Sequence, residues 1–225
     1  MSLESLAAHR RLRDIAGEAL CLNNVASTHL ARLDYAAAAE YLREALALCD
    51  REGLVGVRAY VLANLTEVAI KTGDPAAADG YATRGVESAT AVGNRPVVAW
   101  LKLQFARLAL QRGDLAAARA DLAESLTVST ALGQSALKAG GVMIFAEALA
   151  AHDAVPQARQ VFAYLATHPS TSAPDRDEIH AHLARLPASP DLPWPALDLD
   201  ALIDRIVGEA PLAYQPLLAL LRAAR

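Results

Sequence analysis

Residues 71–82, KTGDPAAADGYA, decide the fold, because the same pattern returns three more times without a gap. It stands as ARLDYAAAAEYL at 31–42, QRGDLAAARADL at 111–122 and AHDAVPQARQVF at 151–162. The turns centre on Leu33, Gly73, Gly113 and Asp153, each forty residues from the last. Small residues keep the same step: Ala38, Ala78, Ala118 and Ala158 after the turn, and Ala26, Thr66, Ala106 and Ala146 before it. A third register, Gly53, Gly93 and Gly133, marks the junctions between units. Three registers in phase over this length are an internal repeat, and a period of this size belongs to stacked arrays.

Each unit reads as two helices. The stretch before the turn, such as Val61 to Ile70, places apolar residues at three- and four-residue spacing. After the turn, Pro75 suits a first helical position. The second helix of the first unit runs from Tyr35 to Cys49 and closes before Gly53, a residue that accepts the left-handed cap. Small residues at 26 and 38 let antiparallel helices approach closely.

Composition narrows the class. The 225 residues are 54% hydrophobic, 5% aromatic and 20% charged, which argues against disorder. No uninterrupted apolar window reaches the length of a membrane span, and MSLESLAAHRRLR lacks the basic-then-apolar order of a secretory signal. A net charge of −4 is a poor footprint for nucleic acid. Two cysteines, Cys21 and Cys49, cannot build a disulfide scaffold or a four-ligand zinc site. The expectation is a soluble, cytoplasmic, alanine- and leucine-rich helical chain.

The repeat resembles the tetratricopeptide repeat family. The family's leucine–glycine pair is matched by Val25-Ala26, its tyrosine by His29, and its second-helix positions by Ala38, Leu42 and Ala45. The corresponding residues are Leu65, Thr66, Ala69, Ala78, Ala82 and Gly85, then Phe105, Ala106, Ala109, Ala118, Leu122 and Ser125. The last set is Phe145, Ala146, Leu149, Ala158, Phe162 and Leu165. The period is forty rather than about thirty-four, and the closing proline is absent.

The stretch LCLNNVASTHLARLDYAAAAEYLREALALCDREG is also similar to the long repeats in C-terminal regions of bacterial STAND-type signal-transduction regulators, which carry an ATPase module and often a DNA-binding domain. Neither a phosphate-cradling Gly-x4-Gly-Lys-Ser/Thr loop nor a helix-turn-helix is visible in this sequence.

These resemblances imply an all-α fold, a right-handed superhelix of about four helix pairs with a C-terminal helical cap. The expected divisions are 1–15, an N-terminal helix or the end of a preceding repeat, then repeats at about 16–55, 56–95, 96–135 and 136–168. Residues 169–225 form the closing part: a helix from Asp175 to Leu186, a proline-rich stretch 187–195, and helices at 197–207 and 212–222. Two readings of those last helices stand, a cover over the final repeat and a docking element for another protein.

The sequence offers little chemistry. His180 and His182 are two apart, about 200° round a helix, so they cannot share an ion. His9, His29, His152 and His168 fall in different units, and no metal or cofactor is expected. His29 is expected as packing in place of the family's tyrosine, and the cysteines as small buried hydrophobes. The sequence has no nucleophile elbow, zincin motif or glycine-rich dinucleotide loop, so no enzyme activity is expected. The basic run His9-Arg10-Arg11-Leu12-Arg13 reads as a solvated helix face.

The candidate site is implied by the family, whose first helices line the concave face and hold a protein or peptide segment. The expected exposed positions are Asn23, Ser27, Tyr60, Ala63, Glu67, Lys71, Trp100, Leu103, Arg107, Gln111, Met143 and Glu147. The carboxylate clamp of chaperone-binding arrays is absent: of Asn23, Ser27, Asn64, Trp100 and Gln104, only Asn64 fits. Two functions follow, a non-catalytic interaction module of a signalling or transcriptional regulator, and a ligand- or peptide-responsive sensor that changes curvature. Neither implies direct contact with nucleic acid or membrane.

Overall fold

The computed structural model describes residues 3–152, 154–188 and 198–208. Among these residues the protein is all-helical, with eleven helices and no strand, and consecutive helices pack on one another as in a helical repeat. No helix among them is long and apolar enough to cross a membrane. The chain divides into two compact units, Met1–Leu108 and Ala109–Arg225, with the boundary inside one helix.

The first unit holds α1 (Leu3–Leu12), α2 (Ile15–Leu30), α3 (Tyr35–Glu52), α4 (Val55–Lys71), α5 (Pro75–Ala91) and most of α6 (Arg95–Gln111). The second holds α7 (Leu115–Ala131), α8 (Ser135–Ala151), α9 (Val155–Thr167), α10 (Ala173–Arg185) and α11 (Leu199–Gly208).

One device makes most of the turns. A residue one to three places past the helix takes positive φ, the next amide returns to a carbonyl five residues back, and that residue's side chain caps the following helix. Thus Gly73 has φ of 77°, Asp74 N donates to Ala69 O at 2.8 Å, and Asp74 Oδ1 accepts from Ala77 N at 3.0 Å. Gly113 and Asp114 repeat it on Ala109 and Ala117. The Gly-Asp pairs are therefore helix stops and starts, with left-handed backbone and capping carboxylate side by side. Leu33 occupies the glycine's place with φ of 60°, and Asp34 still caps α3.

In the first unit the small-residue registers are closed contacts: Ala26, Ala38, Thr66, Ala78 and Ala106 are all buried. Ala26 and Ala38 lie in one core with Leu22, Leu42, Ala45, Val61 and Leu65, to which Cys21 and Cys49 also belong. Both thiols are free, and burial pushes Cys49 up to about 11. A second core joins Ala59 and Ala63 of α4 to Ala82 and Ala89 of α5 and to Val97 and Leu101 of α6. Gly85 fits closely there: a methyl group on it would lie 2.9 Å from Leu101 Cδ1. Ion pairs tie the outer ends, Arg10 with Glu18 and Glu44, and Asp50 with Arg58 and Arg84. The basic run is thus partly engaged in pairing rather than wholly solvated.

In the second unit α8 packs on α7 and α9, and α10 packs on α9. Phe145, Phe162, Leu126, Leu165 and Ile179 are fully buried. The closing helix starts at Ala173, two residues before Asp175, because Ser172 Oγ caps it by accepting from Asp175 N at 3.2 Å and Pro174 suits its first turn. Arg159 of α9 donates to the carbonyl of Leu183 near its far end at 3.0 Å. Further on, α11 begins after Asp198, whose Oδ1 accepts from Ala201 N, and it packs against α7 and α8. Its Leu199, Leu202, Ile203 and Ile206 are buried, and its Asp200 accepts from Lys138 Nζ at 2.5 Å. So α10 covers α9, while α11 turns back over earlier helices. The expected helix at 212–222 and most of the proline-rich stretch, residues 189–195, lie outside the described residues.

Candidate functional site

Reading α2, α4 and α6 at the same register brings three rows together in the first unit. Leu20, Tyr60 and Trp100 form one row; Leu20 is 43% and Tyr60 44% exposed, and Trp100 is half-buried. Four residues on come Asn24, Asn64 and Gln104, and three further on Ser27, Glu67 and Arg107. Steps of four and three residues keep all three rows on one helix face. Lys71 extends the last row by one turn and is also half-buried.

The amide row belongs partly to the scaffold. Asn64 Nδ2 donates to Asn23 Oδ1 at 2.9 Å and to Ser27 Oγ at 3.4 Å, linking α4 to α2. Gln104 is 5% exposed, and its Oε1 has no hydrogen-bond partner among the described residues. A buried acceptor without a partner costs about 1–3 kcal/mol.

The expected exposure fails along one row. Asn23, Ala63, Leu103 and Met143, all at one register, are buried, Leu103 and Met143 to 3% exposure. That row lies about 60° round the helix from the Tyr60 row, enough to turn it into the interhelical packing. The Asn23–Asn64 hydrogen bond is the direct trace of this. Trp100 is only partly available, since it packs against the core of Ala59, Ala63, Ala82 and Leu101. Ser27 and Tyr60 remain exposed, and Glu67, Lys71 and Arg107 half-buried.

Three expected positions belong to the second unit. Gln111 is exposed, Met143 is buried within α8, and Glu147 is half-buried. Glu147 Oε1 lies 3.6 Å from His182 Nε2 of α10. Glu178 stands with them, the facing ligand atoms of all three lying within 4.8 Å of one another. The spacing of His180 and His182 keeps those two from sharing an ion, but Glu178 and His182, four residues apart, share a helix face.

Two other histidines, His29 and His9, have structural partners. His29 stacks on Tyr41 with centroids 5.4 Å apart, in keeping with a packing role, and its Nδ1 is 3.1 Å from Asp34 Oδ2. His9 makes the same link to Asp14 at 2.9 Å. Asp14 and Asp34 are both held below the ordinary carboxyl value, first by the backbone amide each caps and then by its histidine.

No family model matches the chain, and no curated protein or solved structure matches it significantly.

Proposed function

We propose that the chain is a cytoplasmic tetratricopeptide-type array, a right-handed superhelix of helix pairs, that works as a non-catalytic protein-interaction module within a bacterial signalling regulator. The observation that carries the reading is the three-row face of α2, α4 and α6. A half-exposed apolar and aromatic row (Leu20, Tyr60, Trp100) runs beside amides and then beside Ser27, Glu67 and Arg107, at identical forty-residue spacing. A periodic face of this kind suits an extended segment, whose own side chains recur at regular intervals. Aromatic and arginine residues are also those that dominate binding hot spots. The partner that fits carries apolar side chains next to groups of mixed charge.

The experiment is site-specific photo-crosslinking in the cell of origin. A benzoylphenylalanine at 60 or 107 is compared with one at exposed Thr83 on α5. Crosslinks to one protein segment from 60 and 107 but not from 83 are expected. The segment, made as a synthetic peptide, should then bind with Tyr60→Ala and Arg107→Ala each weakening affinity by about 2 kcal/mol or more. Equal crosslinking from 83, or affinity unchanged in both variants, overturns the reading.

A further inference from the structure

We propose that Glu147, Glu178 and His182 form a binding site for a divalent transition cation, zinc first among them, in the second unit. The inference does not depend on the partner-binding face. Glu178 and His182 lie one helical turn apart on α10, which sets both side chains on one side of that helix. Glu147 comes from α8, so the three donors join two helices that flank α9.

The spacing fits an ion better than a hydrogen bond. The ligand atoms lie within 4.8 Å of one another, and His182 Nε2 stands 3.6 Å from Glu147 Oε1. That separation exceeds a good hydrogen bond, yet it is close to the edge of a tetrahedron with bonds of about 2.1 Å, which is roughly 3.4 Å.

The imidazole is also held in orientation. Its ring stacks on Phe162 with centroids 5.0 Å apart and planes 8° apart, and Phe162 is fully buried. The Glu147 and His182 side chains are 17% and 29% exposed, partly desolvated but reachable from water. The two carboxylates are hard donors and the imidazole a borderline one, and it is the imidazole that favours zinc over magnesium or calcium. Three protein donors leave a fourth position for water. The other histidine–carboxylate pairs, His9–Asp14 and His29–Asp34, offer two donors each. A bound ion would fasten α10 to α8 across α9.

The test uses the full chain, stripped with a chelator and passed into chelator-free buffer. Titration with zinc chloride, followed by calorimetry and by thermal melting, should give one equivalent bound and a raised melting temperature, with magnesium chloride giving neither. Glu178→Gln and His182→Gln should each weaken zinc binding at least about tenfold. His180→Gln, on the exposed side of the same helix, should leave it unchanged. Circular dichroism of the stripped variants confirms that they fold, and Glu147→Gln replaces any that does not. Absence of stoichiometric zinc binding, binding unaffected by the Glu178 and His182 changes, or equal loss in His180→Gln overturns the site.

Discussion

Asp34 uses its two carboxylate oxygens for two different tasks: Oδ1 accepts the Ala37 amide and caps α3, while Oδ2 meets His29 Nδ1 of the preceding helix at 3.1 Å. Asp14 does the same with Gly17 and His9 at the start of α2. Each pair spans a turn from the last residues of one helix to the first of the next, so the cap also fixes the angle at which the chain re-enters.

This arrangement sets a pH dependence. Both carboxyls sit below their ordinary value of 3.8 in the folded state, so their contribution is present above that pH. It is lost as pH falls below 3.8 and through the depressed folded values. The double variant Asp14→Asn/Asp34→Asn keeps a good capping side chain without the titration. Urea midpoints between pH 7 and pH 3 should therefore fall less for the variant than for the native chain. Parallel curves would show that other groups govern acid sensitivity.

Leu33 occupies a backbone conformation that the next two repeats give to glycine. Its φ is 60° against 77° at Gly73 and 73° at Gly113, and its side chain is 67% exposed. Little packing is lost on removing it. Leu33→Gly should stabilise the first unit by about 0.5–1 kcal/mol, the relief of left-handed strain exceeding the added freedom of the unfolded chain. Chemical denaturation measures it.

Helical glycines should respond in opposite directions to the same change. A methyl group at Gly80 meets nothing within 4 Å, so Gly80→Ala should gain up to about 1 kcal/mol from helix propensity. At Gly141 it would lie 2.6 Å from Leu126 Cδ2, a side chain with no exposed surface. Gly141→Ala should lose about 1–2 kcal/mol net, since overpacking outweighs propensity. Thermal melting of the two variants gives the signs.

Trp100 and Tyr60 share a row but differ in what they support. Trp100 packs on the α4–α6 core, and Tyr60 is 44% exposed. Trp100→Ala should cost about 2 kcal/mol of stability, and Tyr60→Ala less than about 1 kcal/mol. A destabilisation of similar size in both would mean that Tyr60 is a packing residue as well.

Gln104 offers a gain. Its buried Oε1 lacks a partner among the described residues, so Gln104→Met should stabilise the isolated chain by about 1 kcal/mol. Loss of stability on this change would mean that the carbonyl is satisfied by water.

The helices and their turns were legible in the sequence because their causes are local. Left-handed backbone at Gly73 and Gly113, capping by Asp74 and Asp114, and small residues at 38, 78 and 118 act within a few residues of where they stand. The forty-residue register then repeated each local decision. The helix α10 starts two residues before Asp175 because two local signals compete there, and Ser172 with Pro174 prevails.

What only the tertiary structure decided is which side of each helix is covered and which distant side chains meet. Asn23, Ala63, Leu103 and Met143 share a register, and although three of them are apolar the asparagine among them leaves its side unmarked by residue type. Their burial comes from neighbouring helices many residues away. Glu147 and His182 are likewise brought to 3.6 Å only because α10 folds back on α9. Helix formation is settled by hydrogen bonds within one turn, whereas burial and side-chain meeting depend on surfaces the chain supplies from elsewhere.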